Sequence, residues 1–230
     1  MATVILARHG RTVANATGVL AGRTPGVVLD AVGVDQAEAA GRRLDGLDLA
    51  AAVTSPLERC RETAQILLRG TGVRARVERG LTECDYGEWT GRAMAELAKE
   101  DLWKTVQAHP AGVRFPGGEA MAEMSARAVR SVRAWDARVV EAAGEDAVWL
   151  AVAHGDVIKS VLADALGVHL DAFQRIVVDP ASFSVVRYTP HRSYVLAMNT
   201  VEGSLTYLAR QHELPDQKLG GGAGPVVSTP

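Results

Sequence analysis

The stretch "VILARHGRTVAN", residues 4–15, decides how the chain is read. Val4-Ile5-Leu6 is a short apolar run of the kind that fills a buried strand. Arg8, His9, Gly10 and Arg11 follow it almost at once. A strand inside a core has no use for two guanidiniums and an imidazole. An oxyanion does, because arginine offers planar, paired donors and a neutral imidazole offers a lone pair. The segment poses a choice between a phosphate-binding strand end and a merely polar turn.

The 230 residues are 47% hydrophobic and 23% charged, enough for a full core. At about 150 residues per domain the length allows one or two. Nothing within residues 1–210 has the composition of a linker, which predicts a single domain there. From Gln211 onward the chain turns rich in glycine and proline, ending "LGGGAGPVVSTP", and residues 211–230 are expected to form a disordered tail. That glycine run follows no strand and opens no helix, so it is not a phosphate loop. The net charge of −2 and the lack of a long basic run argue against nucleic acid or a membrane surface as partner. No apolar run approaches the ~20 residues of a membrane span. The N-terminus lacks the basic-then-apolar layout of a signal peptide. Cys60 and Cys84 stand in no metal-like or redox-like spacing, which predicts two free thiols in a cytoplasmic protein. A homo-oligomer is left open.

Apolar runs too short for helices alternate with segments of helical period, the pattern of an α/β layer fold. Strands are expected at residues 4–7, in "LAAAVTSP" (49–56), at 73–78 and in "AVWLAVA" (147–153). Two late ones follow, "SFSVVRYT" and "SYVLAMNT", the first at a sheet edge. Helices are expected over 33–45, in "PLERCRETAQILLRG" (56–70), over 93–107 and 119–143, and from Gly155 to about Leu166. The methionine and aromatic stripe of 119–143 reads as core. In a parallel sheet, ligands lie beyond the carboxyl ends of the strands. Three such ends carry unusual polarity: Arg8-His9, then Thr54-Ser55 with Arg59, then His154. One such residue is an ordinary cap; three at one edge predict an anion site.

At these positions the chain resembles the histidine phosphatase superfamily, in its phosphoglycerate mutase-like branch. "RHGRTVAN" matches the R-H-G-x-T-x-x-N signature, and "SPLERCRETA" is similar to the second motif. "LTECDYGEWTG" resembles the acid-bearing segment and "AHGDVIK" the last motif, in matching order over roughly residues 3–200. The resemblance implies a three-layer α/β/α sandwich around a mostly parallel central sheet. It implies His9 as a nucleophile that becomes phosphorylated, with Arg8 and Arg59 stabilising the phosphoryl oxygens and His154 donating to the same group. Asn15, and with less support Thr12, would contact a phosphate oxygen, and Glu83 would protonate the leaving oxygen. Neither metal nor cofactor is implied, because the guanidiniums carry the charge.

Arg23 lies in a loop that departs from the family pattern, where it would touch a substrate anion or serve the surface. Asp85 is expected to fix a turn and Glu88 to be solvated. Cys60 and Cys84 read as packing residues, and Lys159 as solvated. The expected activity is hydrolysis of a small phosphorylated metabolite through a phosphohistidine. A phosphoglycerate mutase-like phosphomutase is the alternative, and an inert phosphate-sensing module a rival of another class. Residues 18–28 and 104–118 are expected to shape specificity. The short stretch 89–117, lacking an insertion rich in arginine and tyrosine, favours hydrolysis.

Overall fold

Six strands form one sheet in the order β3-β2-β4-β1-β5-β6. The computed structural model describes residues 2–206, so the tail expected over 211–230 lies outside the described residues. β1 (Thr3–Arg8), β2 (Leu49–Thr54), β3 (Arg76–Val77) and β4 (Val148–Ala153) run parallel. β5 (Phe183–Tyr188) and β6 (Ser193–Thr200) complete the sheet in antiparallel pairings. The register brings Arg8 opposite Ala153 and Thr54 opposite Val152. The carboxyl ends of β1, β2 and β4 therefore open on one edge, each carrying its polar residues.

Alternation along the strands divides the core in two. Val4 and Leu6 pack with Trp149 and Ala151 against α6 (Met121–Ala143) and α7 (Gly155–Leu166). Ile5 and Ala7 pack with Leu150 and Val152 against α2 (Ala31–Arg42) and α3 (Glu58–Leu67). The strands are apolar on both faces because helices cover both. This is the three-layer α/β/α arrangement implied by the resemblance. No helix among the described residues is long and apolar enough to cross a membrane.

Several elements differ from the sequence reading for identifiable reasons. The region expected as one helix over 93–107 is two, α4 (Met94–Leu97) and α5 (Asp101–Ala108). Leu97 and Val106 are both buried, yet nine residues at about 100° each would set them on opposite faces of a continuous helix. The break lets both turn inward. β3 pairs only through Arg76 and Val77, shorter than the expected 73–78. β5, expected at an edge, is interior and paired on both sides, with Ser184 and the preceding Ser182 buried; β6 is the edge.

The turn after β1 is held from below by α2 and α3. Gly10 N–H donates to Thr63 Oγ1 at 3.0 Å, Arg11 N–H to Gln36 Oε1 at 3.0 Å, and Asp30 N–H to Arg11 O at 3.1 Å. Asp30 caps α2 and also pairs with Arg11 Nε at 2.9 Å, so Arg11 belongs to this scaffold. At the crossing two glycine backbones meet. A Cβ on Gly33 would lie 2.0 Å from Arg11 O, and one on Gly10 2.4 Å from Gly33 O. Neither neighbour can yield, since both are backbone. Gly33→Ala is expected to lower the unfolding free energy by about 1–3 kcal/mol, the scale of overpacking. Urea denaturation measures it, and an unchanged midpoint would refute the tight crossing.

Candidate active site

A cavity of about 480 Å³ opens at the carboxyl edge of the sheet. At its floor lies His9, on the first turn beyond β1 and 4% exposed. His9 Nδ1 is 2.8 Å from Gly10 O, a pure acceptor, so Nδ1 carries the proton and Nε2 keeps its lone pair. Burial first, then the charges of Arg59 and Arg8, hold the His9 pKa well below its ordinary value. The imidazole is therefore neutral at physiological pH.

Arg59 comes from the first turn of α3 and is 2% exposed. Its Nε donates to His9 Nε2 at 3.3 Å, and its Nη2 to Gly22 O at 2.8 Å and to His154 Nδ1 at 3.2 Å. Arg8 Nη1 donates to Val178 O at 2.6 Å. Two guanidinium atoms, Arg59 Nη1 and Arg8 Nε, are buried with no hydrogen-bond partner. Among the described residues neither arginine has a carboxylate within ion-pair distance.

Glu83 lines the same cavity at 8% exposure. Its Oε1 accepts from Cys84 N–H at 2.9 Å, and Oε2 lies 3.9 Å from His154 Nδ1. Burial, then the nearby Asp156 carboxylate, push its pKa up to about 7 against the opposing pull of Arg59. Two arginines fix its main chain: Arg23 Nε and Arg127 Nη2 both donate to Glu83 O, at 2.9 and 3.0 Å. Glu119 bridges the two arginines at 3.0 and 2.7 Å.

The site contains a neutral, oriented imidazole, one buried and one half-buried guanidinium with donors to spare, and a carboxyl that holds its proton up to about pH 7. The description "Histidine phosphatase superfamily (branch 1)" matches residues 4–201. The chain belongs to the histidine phosphatase superfamily. It is 32% identical over 190 residues to a Yersinia enterocolitica protein named "Probable phosphoglycerate mutase GpmB", covering 82% of this chain and 86% of that one. It is 28% identical over 211 residues to phosphoserine phosphatase 1 of Hydrogenobacter thermophilus, covering 86% and 92%. Among solved structures, the mycobacterial glucosyl-3-phosphoglycerate phosphatase Rv2419c in complex with VO3 superposes with a TM-score of 0.75. That match is 26% identical and covers 86% of this chain and 98% of that one. At the level of reaction class this histidine phosphatase is a phosphoric monoester hydrolase.

The fold brings Arg8, His9, Thr12, Asn15, Arg59 and Glu83 to one cavity. Thr12 and Asn15 form the capping box of the short helix α1 (Val13–Ala16): Thr12 N–H and Oγ1 both donate to Asn15 Oδ1, at 3.1 and 2.9 Å. That leaves the Asn15 Nδ2 donors for the cavity and gives Thr12 a capping role. Two residues sit elsewhere than expected. Arg23 does not line the cavity; its guanidinium is taken by Glu83 O, Asp85 and Glu119. His154 is fully buried behind Arg59, with Nδ1 accepting from Arg59 and Nε2 on Ser55 Oγ at 2.7 Å. For it to donate to a phosphoryl oxygen, Nδ1 must leave Arg59 and take up a proton.

The sequence reading missed one wall. Gln174, Ile176, Val177, Val178 and Asp179 line the cavity, together with Tyr86, Asp156 and Lys159. The expected segment 104–118 contributes nothing to it. Asp85 Oδ1 accepts from Gly87 N–H at 3.1 Å, fixing the turn as expected.

Glu83 also gives the fold a pH dependence. Its proton is held more tightly in the folded chain, near 7, than at its ordinary 4.5. The stability that accompanies its burial is therefore fully present below about 4.5 and is lost as pH rises through about 7. Between pH 5.5 and 8, Glu83→Gln should gain on the wild type by on the order of 2 kcal/mol, because glutamine has no proton to lose. Denaturant titrations at the two pH values measure the gap, and a constant gap would refute the raised pKa.

Proposed function

We propose that the protein is a metal-independent phosphatase that hydrolyses a small phosphomonoester through a phosphohistidine at His9. The observation that carries this reading is the pair of buried, partnerless guanidinium atoms beside the His9 Nε2 lone pair. Unmet buried donors carry a large desolvation cost. A phosphoryl group supplies acceptors for them, and phosphoryl transfer needs mainly positioning and stabilisation of the equatorial oxygens.

In the first step His9 Nε2 attacks phosphorus, forming the P–N bond as the ester P–O bond breaks. The Glu83 carboxyl gives its proton to the departing oxygen, a role suited to an acid with a raised pKa. Water then attacks the phosphohistidine, returning a proton to Glu83 while the P–N bond breaks and phosphate leaves. Arg8 and Arg59 hold the transferring group throughout, Asn15 adds its amide, and His154 braces Arg59 from behind. The similarity to a protein named as a mutase supports a second reading, with the same first step but return of the phosphoryl group to substrate.

His9→Ala is expected to abolish p-nitrophenyl phosphate hydrolysis and leave the fold intact. Brief exposure of the wild type to labelled substrate should give an acid-labile, base-stable phosphoprotein that the variant lacks. Arg8→Ala or Arg59→Ala should each cost about 3–4 kcal/mol in kcat/KM, the scale of one preorganised electrostatic donor. Vanadate should inhibit competitively and EDTA should not. His9→Ala retaining more than a few per cent of activity would overturn the covalent route; loss on chelation with rescue by a divalent ion would overturn metal independence.

A further inference from the structure

Lys159, four residues after Gly155 on α7, lies on the same helix face one turn further along. Gly155 abuts the Arg8 guanidinium, since a Cβ there would sit 3.6 Å from Arg8 Cζ. Lys159 therefore brings a cation to the cavity beside the phosphoryl end. Its side chain is only 19% exposed. Nζ donates to Gln174 Oε1 at 3.1 Å, and Phe173 packs under it at 5.5 Å. Its nearest carboxylate, Asp156, stands 3.7 Å away, beyond hydrogen-bond length, with its other oxygen taken by the Tyr86 hydroxyl at 2.8 Å. An ammonium has three donors, and Gln174, having accepted with its oxygen, has two more on its amide nitrogen.

We infer that Lys159 and Gln174 form the specificity-determining subsite for a second anionic group, so that the substrate is a phosphomonoester that also carries a carboxylate or a second phosphate. The inference rests on the phosphatase reading and deepens it. Asp156 sets the direction of approach: an anion seated against it is repelled, so the second group enters from the Gln174 side. Ile176 and Val177 form an apolar stretch of the same wall. They offer no competing donors for the second group.

The test compares substrates that differ only in that group. 3-Phosphoglycerate and glycerol 3-phosphate differ by a carboxylate in place of a hydroxymethyl; fructose 1,6-bisphosphate and fructose 6-phosphate differ by a second phosphate. The wild type should prefer the anionic member of at least one pair by about tenfold in kcat/KM, the scale of one charge-assisted hydrogen bond. The pair that shows the preference identifies the group. Lys159→Met should erase that preference, chiefly through KM, and Lys159→Arg should keep most of it. A wild type without preference in either pair overturns the inference, and that result needs no variant to fold. A preference that survives Lys159→Met overturns it as well. If the wild type releases phosphate from p-nitrophenyl phosphate but shows no preference, only this inference fails. If it releases phosphate from none of the five compounds, the phosphatase reading fails first and the inference with it.

Discussion

Arg59 is a cation held out of water, and Arg8 a half-buried one, at the end of a parallel sheet with no carboxylate among the described residues to neutralise them, and the surrounding structure is arranged to make that tolerable. Leaving a charge buried and unpaired is among the most destabilising things a fold can do. Main-chain carbonyls from two distant loops meet part of the demand, Val178 O on Arg8 and Gly22 O on Arg59. The two imidazoles meet another part, but only while neutral, since a protonated His9 or His154 has no lone pair to give Arg59. Burial first, and then the same positive field that the imidazoles help to stabilise, keeps them unprotonated. Charge and lone pair thus depend on each other, and the unmet remainder of the donors faces the cavity.

This constraint extends to the acid. A carboxylate at Glu83 would neutralise the site and compete with an incoming phosphate, yet a neutral carboxyl there loses the attraction of both arginines. Burial decides the outcome, with help from the Asp156 carboxylate, which accepts from the Tyr86 hydroxyl at 2.8 Å and lies 3.7 Å from Lys159. A phosphate dianion arriving beside Glu83 acts in the same direction as Asp156 and strengthens the hold on the proton. The main chain that carries the acid is independently clamped by Arg23, Arg127 and Glu119. The main chain at Glu83 is therefore held by contacts that do not involve its carboxyl.

Much of this was legible in the sequence because it is local. Apolar runs such as Val4-Ile5-Leu6 and Val148–Ala153 announce buried strands, and the residues just after them announce the site. The stripe from Met121 to Val139 announces a helix against the sheet. Other features depend on partners far away in the chain. Arg23 looked free to meet a substrate until the fold set Glu119, 96 residues on, against its guanidinium. Lys159 looked solvated until Gln174 and Phe173 folded over it. His154 read as a phosphoryl donor, and sequence cannot show that Arg59 and Ser55 occupy its two nitrogens, so that Nδ1 must be released and protonated before it can donate. The wall at 174–179 has no motif at all. It enters the cavity because Arg8 takes the Val178 carbonyl and Lys159 the Gln174 amide, ties that exist only in three dimensions.

Those ties also bear on where the phosphoryl group goes after it leaves the ester. Returning it to substrate requires the intermediate to stay bound while it reorients, and that needs cations beyond the two that grip the reacting group. Of the residues between Trp89 and Gly117, only Met94 reaches the cavity. Three of their four cations are engaged elsewhere, Arg92 with Glu100, Lys104 with Asp101 and Arg114 with Glu123, and the fourth, Lys99, does not line the cavity. Among the described lining residues Lys159 is the one further cation, already donating to Gln174 and 3.7 Å from the Asp156 carboxylate. A single lysine can orient the second anionic group of an incoming substrate, but exchanging one phosphate for the other at Arg8 and Arg59 calls for more cations than this wall supplies. The distribution of positive charge, more than the shape of the cavity, favours water as the final acceptor.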